Sequence, residues 1–148
     1  MRKGFTLIEL LVVIAIIGIL ASIVLVSFPG ATKKAKDSRI VSAIAQARTI
    51  MVYVNANDGN YDNFNCDHPD MVKICAEIAN NHPVKGTNPT IAKNAASNSN
   101  AACIFSELNA GGYYCADSSG VAGYTETPPG GQNYCVDGVS ANCPPVSG

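Results

Sequence analysis

Residues 5–28 read FTLIELLVVIAIIGILASIVLVSF, 24 residues carrying one formal charge, Glu9. At about 1.5 Å of rise per residue, a helix of that length spans roughly 36 Å, enough to cross a hydrocarbon core of about 30 Å. The core helix of a small domain is rarely so long or so uniformly apolar, so the stretch reads as a membrane-crossing helix, and a plain anchor stays open. It holds most of the apolar excess of the 148-residue chain, which is 47% hydrophobic. The remainder has room for one modest domain.

Upstream lies only MRKG, with Arg2 and Lys3 as its charges. An ordinary secretory signal places its small-residue cleavage site beyond the apolar stretch, whereas here the small residue, Gly4, precedes it. Downstream come Pro29 and Gly30, and a proline at that point removes a backbone donor, so a kink or local melting is expected. Ile40, Ile44, Ala47, Met51 and Val54 then recur at spacings of three and four, the pattern of an amphipathic helix with one buried stripe. NANDGN at 55–60 ends it with residues suited to turns and left-handed backbone.

Past residue 60 the periodicity fades into Asn, Gly, Ser, Pro and Cys. A short helix is expected over 69–80, with Asp67 as its cap and Met71, Ile74, Cys75 and Ile78 on one side. Residues 81–101 read as an extended surface connection. ACIFSELNAGGYYCAD reads as a hairpin, with strands over 102–107 and 113–117 about a turn containing Asn109 to Gly112. A third strand is expected near 133–137. The implied fold class is α+β: a long N-terminal transmembrane and amphipathic helical spine bearing a small antiparallel sheet.

The six cysteines, Cys66, Cys75, Cys103, Cys115, Cys135 and Cys143, all fall in this head and form no CxxC pair. An even count in a small, loop-rich region points to a disulfide framework and an oxidising compartment outside the cytoplasm. Of 15 connectivities, local pairing is the expectation: Cys66 with Cys75, Cys103 with Cys115, and Cys135 with Cys143. Only the middle pair has a register argument, since placing 107 opposite 111 sets 103 opposite 115.

Charge is divided along the chain. Lys33, Lys34, Lys36, Arg39 and Arg48 follow the apolar run against Asp37 alone, while from residue 49 onward three bases face nine acids, a net of −6. An acidic head argues against direct nucleic-acid binding there, which depends on neutralising phosphates. By charge count alone the basic stem favours the cytoplasmic side, but the cysteines and the short leader argue the reverse. The basic stem would then be balanced by the acids of neighbouring subunits.

Glu9 is the informative residue. An unpaired acid within a membrane helix is costly and normally has a partner. Cleavage after Gly4 would give Phe5 a free amine four residues from Glu9, about 6 Å along a helix axis. In staggered neighbouring chains one amine would pair with the next chain's carboxylate, favouring assembly. The simpler alternative is a glutamate that snorkels to the headgroups.

The string KGFTLIELLVVIAIIGILA closely resembles the start of type IV prepilins and of the pseudopilins of type II secretion and DNA-uptake systems. The resemblance is specific over residues 2 to about 23 and looser to Tyr61, where Gly59, Asn60 and Tyr61 resemble the end of the family's long helix. It implies a pilin fold, cleavage by prepilin peptidase between Gly4 and Phe5, N-methylation of Phe5, and Glu9 as the assembly carboxylate. It implies as partners other pilin subunits, the inner-membrane pilus assembly machinery and, before assembly, membrane lipid. Segments follow as a leader at 1–4, an assembly helix at 5–28, a stem at 29–58 and an extracytoplasmic head at 62–148. The precursor would be a single-pass cytoplasmic membrane protein and the product an extracellular pilus serving adhesion, motility or DNA uptake. A pseudopilin and a non-polymerising anchored adhesin are the alternatives. Two departures stand out: the family commonly has a proline inside its apolar helix, where this chain has Pro29 at the end, and six cysteines exceed the family's common single bridge.

No enzyme motif is present, and no cofactor is expected. Asp117 and Asp137, with Ser119 and Asn133, are weak calcium candidates set against ordinary turn chemistry. His68 and His82 both precede prolines in polar sequence and read as surface residues.

Overall fold

The computed structural model describes residues 4–130 and 133–147, so Met1, Arg2 and Lys3 lie outside the described residues. The chain divides into two compact units, Met1–Lys33 and Lys34–Gly148. Helix α1 runs Leu7–Asp58 with Pro29 inside it. The melting expected at Pro29 does not occur: proline withdraws one N–H from the ladder, and the residues beside it keep helical bonding. Three residues on, the Thr32 hydroxyl donates to the Phe28 carbonyl at 2.7 Å, the back-bond to residue i−4 that threonine makes inside a helix. Just past the end of α1, Gly59 takes φ 71°, the left-handed conformation that glycine adopts without penalty.

In the second unit the spacing-of-four stripe is the core. Ile40, Ile44, Ala47, Met51 and Val54 are each at most 1% exposed. They pack with Phe64, Met71 and Ile78, and with Ala102, Ile104 and Ala116 of the sheet. Helix α2 spans Val72–Asn81 and turns Ile74, Cys75 and Ile78 inward, close to the expected segment. Asp67 is not its cap. The N-cap is Met71, with no side-chain cap bond, because Asn65 upstream organises the turn instead, accepting from the Asp67 and His68 amides at 2.9 and 3.1 Å.

The sheet is antiparallel, in the order β1(Thr90–Lys93), β2(Ala102–Glu107), β3(Tyr113–Asp117), β4(Ala122–Thr125). Strands β2 and β3 have the expected bounds. Their register does not: Glu107 pairs with Tyr113, Phe105 with Cys115 and Cys103 with Asp117. The connection is a five-residue loop, 108–112, in which the Leu108 amide donates to the Gly112 carbonyl. A two-residue shift leaves every side chain on its face, so Cys103 and Cys115 still share a surface but are not opposite each other.

That surface explains the disulfides. Cys103 bonds Cys135 and Cys115 bonds Cys143, while Cys66 bonds Cys75 as expected. The pairings of Cys103 with Cys115 and of Cys135 with Cys143 are therefore corrected. Each hairpin cysteine reaches outward to the C-terminal segment and binds it over the outer face of the sheet, where Phe105, Ala92 and Ala141 complete a second small core. Buried on both faces, β2 is a continuous apolar run rather than an alternating one. Gly123 permits the close approach of the C-terminus, since a Cβ there would lie 2.8 Å from the Ser147 carbonyl oxygen.

The strand expected at 133–137 is absent. Asn133 and Cys135 take φ 64° and 49°, which no strand accommodates, and only a bridge between Val136 and Ser140 forms. The outer strands are instead β1 and β4, each four residues long.

Three aspartates fasten loops to this frame. Asp37, 7% exposed, accepts from the Asn109 amide at 2.6 Å, the Asn109 side chain at 2.9 Å and the Ala110 amide at 2.9 Å. Asp62 accepts from the Ser99 hydroxyl at 2.6 Å and from the Ser99 and Asn98 amides at 2.9 and 2.8 Å. The Ser99 hydroxyl, followed by those two amides, holds the Asp62 carboxyl below its ordinary range. Asp117 accepts from Ser119, Val121 and Cys143 and so ties the β3–β4 turn to the C-terminal segment.

Candidate functional site

The start of α1 is built from Thr6 and Glu9. Thr6 precedes the first helical residue, Leu7, and Glu9 stands three residues after it. The Thr6 amide donates to Glu9 Oε2 at 2.8 Å, the Thr6 hydroxyl donates to the same oxygen at 2.7 Å, and the Glu9 amide donates to Thr6 Oγ1 at 3.3 Å. This reciprocal arrangement is a capping box, which satisfies amides that a helix N-terminus otherwise leaves bare. The sequence carried its signature, Thr-x-x-Glu, and the reading of Glu9 as either snorkelling or paired in trans missed it. Both local bonds converge on Oε2, and among the described residues Oε1 has no hydrogen-bond partner.

Around this cap the chain is open. Phe5 is 79% exposed, and a side chain at Gly4 would meet nothing within 4 Å. The Gly4–Phe5 bond is thus unobstructed by the described residues. Beyond it, Leu7–Val24 has a mean hydropathy of 3.0 and none of its residues is buried within the molecule. Leu7, Ile8, Ile14, Ile19 and Ile23 are each at least 60% exposed. An apolar helix in that state needs lipid or the apolar face of another chain around it. Arg2 and Lys3, the basic leader residues, lie outside the described residues.

The head's other candidates are drawn into structure. The Asp117 carboxylate is only 3% exposed and is filled by hydrogen-bond donors from Ser119, Val121 and Cys143. Asp137 accepts from the Lys93 amide at 3.0 Å. Among the described residues no three His, Cys, Asp or Glu side chains gather as metal ligands would. All six cysteines are disulfide-bonded. His82 is not the surface residue expected: it closes α2, is 8% exposed, and bonds through Nδ1 to the Val84 amide at 3.0 Å. His68 accepts from the Asp70 amide at 3.3 Å.

Comparison with known proteins falls on the same segment. The family pattern described as the prokaryotic N-terminal methylation motif matches residues 1–25. Fimbrial protein Q of Moraxella bovis is 50% identical over 48 residues, covering 32% of this chain and 31% of that one. The type IV major fimbrial protein FimA of Dichelobacter nodosus is 47% identical over 49 residues, 33% and 31% of the two chains. A fimbrial protein of Pseudomonas aeruginosa is 46% identical over 48 residues, 32% and 31%. The matched stretch thus spans under a third of each of these relatives. No solved structure matches the chain. Over its N-terminal third the chain is thus similar to type IV fimbrial proteins, and the methylation motif, the long N-terminal helix, the four-stranded antiparallel sheet and three disulfides together make a pilin-like α+β fold.

Proposed function

We propose that this protein is a structural subunit of a type IV pilus. Prepilin peptidase cuts it after Gly4 and methylates Phe5, and the inner-membrane assembly machinery draws it from lipid into a homopolymer. Its segments are the leader at 1–4, the assembly helix at 5–28, the stem at 29–58 and the extracytoplasmic head at 62–148. Before assembly it is a single-pass cytoplasmic membrane protein; afterwards it forms an extracellular filament.

The observation that carries this reading is the placement of Glu9 at the head of a bare apolar helix, within the matched methylation motif. The capping box refines the role proposed for it. One carboxylate oxygen is occupied within the chain, which moderates the charge while the subunit waits in lipid. The other, Oε1, faces no described partner and is suited to the methylated amine of a neighbouring subunit.

Mass spectrometry of the mature terminus tests the processing, with N-methylated Phe5 expected; an intact Met1 would sink the reading. Recovery of the chain in sheared surface filaments separates a pilus from the short periplasmic fibre of a pseudopilin. Substitutions then separate cap from charge. Glutamine also serves in a capping box, so Glu9→Gln keeps the helix start and removes the charge. Filament yield is expected to fall as far as in Glu9→Ala, with membrane insertion intact in both. Thr6→Val keeps the charge, loses the hydroxyl's contacts, and is expected to assemble more weakly than wild type but better than either Glu9 variant. A Glu9→Gln protein that assembles normally would limit Glu9 to capping.

A further inference from the structure

The head carries a cavity of about 340 Å³ whose lining includes His82, Asn88, Thr90, Glu107, Tyr113 and Pro128. That volume is at the small end of the range of about 300–1,000 Å³ typical of ligand pockets. Its apolar part is the Tyr113 ring, braced by Phe105 with ring centroids 5.2 Å apart, together with proline. The rest of the described lining is polar and carries no lysine or arginine.

Its polar groups are suited to hydroxyls. His82 is tethered through Nδ1, and its Nε2 has no hydrogen-bond partner among the described residues. No buried side-chain nitrogen among them lacks a partner, so Nε2 reaches solvent, and His82 is among the residues that line the cavity. In either tautomer Nε2 exchanges a hydrogen bond with a hydroxyl, which both donates and accepts. Asn88 offers a donor and an acceptor, and the exposed Glu107 carboxylate offers acceptors only. An anionic ligand would meet Glu107 with no cation to offset it. A ligand with one C–H face for an aromatic ring, a rim of hydroxyls and no negative charge is a pyranose.

We propose that this cavity binds a neutral saccharide, with one sugar ring against Tyr113 and its hydroxyls shared among His82, Asn88 and Glu107. A second cavity of about 270 Å³ also has Tyr113 in its lining, with Tyr124, Thr125, Glu126 and Ser147. The inference does not depend on polymerisation and is measured on the unassembled chain.

The full-length protein, in a detergent without a sugar headgroup, is titrated with methyl β-galactoside, N-acetylglucosamine and lactose, and with sialyllactose and choline as anionic and cationic controls. The readouts are the NMR ring signals of Tyr113 and His82. At least one neutral saccharide is expected to saturate both with a Kd of about 0.1–10 mM, as befits a small ligand in a shallow site. Sialyllactose is expected to bind at least about tenfold more weakly than lactose, a gap of about 1.4 kcal/mol. Glu107→Ala and Asn88→Ala alter exposed side chains and are expected to weaken binding by a similar factor while leaving the unfolding transition in place. Neutral sugars that move neither ring at about 50 mM, well above that range, would overturn the proposal. So would variants that bind as wild type, or choline binding in preference to every sugar.

Discussion

Replacing Asp37 with alanine tests whether the acid set among the stem's bases is a structural clamp or an offset to its basic neighbours. Its carboxylate takes three hydrogen bonds from the β2–β3 loop, at 2.6, 2.9 and 2.9 Å, while only 7% exposed. Hydrogen bonds to a charged group contribute about 1.5–3 kcal/mol each. They do not add here, because two come from Asn109 and the Ala110 amide lies in an exposed residue where water replaces the lost acceptor. A net loss of about 2–4 kcal/mol follows for Asp37→Ala. With a urea m-value of about 2 kcal/mol/M for a small unit, the midpoint falls by roughly 1–2 M. The assay is urea unfolding of the full chain in detergent micelles, followed by near-ultraviolet circular dichroism of the tyrosines in the head. Asp37→Asn, which keeps the shape but one acceptor oxygen, is expected between the two. A double-mutant cycle with Asn109→Ala should give a coupling above about 1 kcal/mol. If Asp37→Ala instead lies within about 0.5 kcal/mol of wild type, as ordinary surface changes do, the clamp is refuted.

Asp62 makes stability depend on acid in a defined direction: its folded pKa is depressed by Ser99 and Asn98, so its contribution is full above the ordinary carboxylate range and is lost as pH falls through the folded value. Asp62→Asn should flatten that acid limb in a pH series of thermal melts, and an unchanged limb would assign it to other carboxyls. Among the staples, Cys115–Cys143 and Cys66–Cys75 close loops with sequence separations of 28 and 9. Loop entropy then assigns them about 3.5 and about 2.5 kcal/mol. Paired alanine substitution should therefore cost more at Cys115 and Cys143, where the C-terminal segment is also released, and equal losses would contradict that assignment.

The spine was legible because its signals are periodic and long. The residues 40, 44, 47, 51 and 54 stripe needs only a helical repeat to be read, and each of its members is buried. The central hairpin was legible because ACIFSE and YYCAD are apolar runs flanking a glycine-rich turn. The disulfides among Cys103, Cys115, Cys135 and Cys143 were not, since their pairing depends on a register shifted by the five-residue loop and on a C-terminal segment with no periodicity. Strands β1 and β4 were missed for a related reason: four residues such as TIAK or AGYT give too few alternations to rise above loop composition, and pairing with β2 and β3 decides their conformation. At the candidate site, Gly4, Phe5 and Glu9 were singled out from the sequence, while the Thr6 partnership was present as Thr-x-x-Glu and unread.

The aspartate clamps also change how the head's acidity is understood. By composition nine acids face the basic stem, but in the fold several already have partners. Asp62 and Asp117 bind loop amides, Asp137 accepts from the Lys93 amide, Asp58 accepts from Asn63, and Glu77 lies 3.6 Å from Arg39. Ordered loops, rather than surface potential, account for that part of the charge. Among the described residues, Asp67, Glu107 and Glu126 are exposed acids whose carboxylates have no hydrogen-bond or ion-pair partner, and Asp70 has only a contact with His68 at 3.9 Å. If the stem lysines are balanced by neighbouring copies in a filament, these four are the acids suited to meet them. Glu107 and Glu126 also border the two cavities at Tyr113. Subunit packing against that side of the head and saccharide binding there would therefore compete for the same carboxylates, and a filament that binds sugar must leave that face outward.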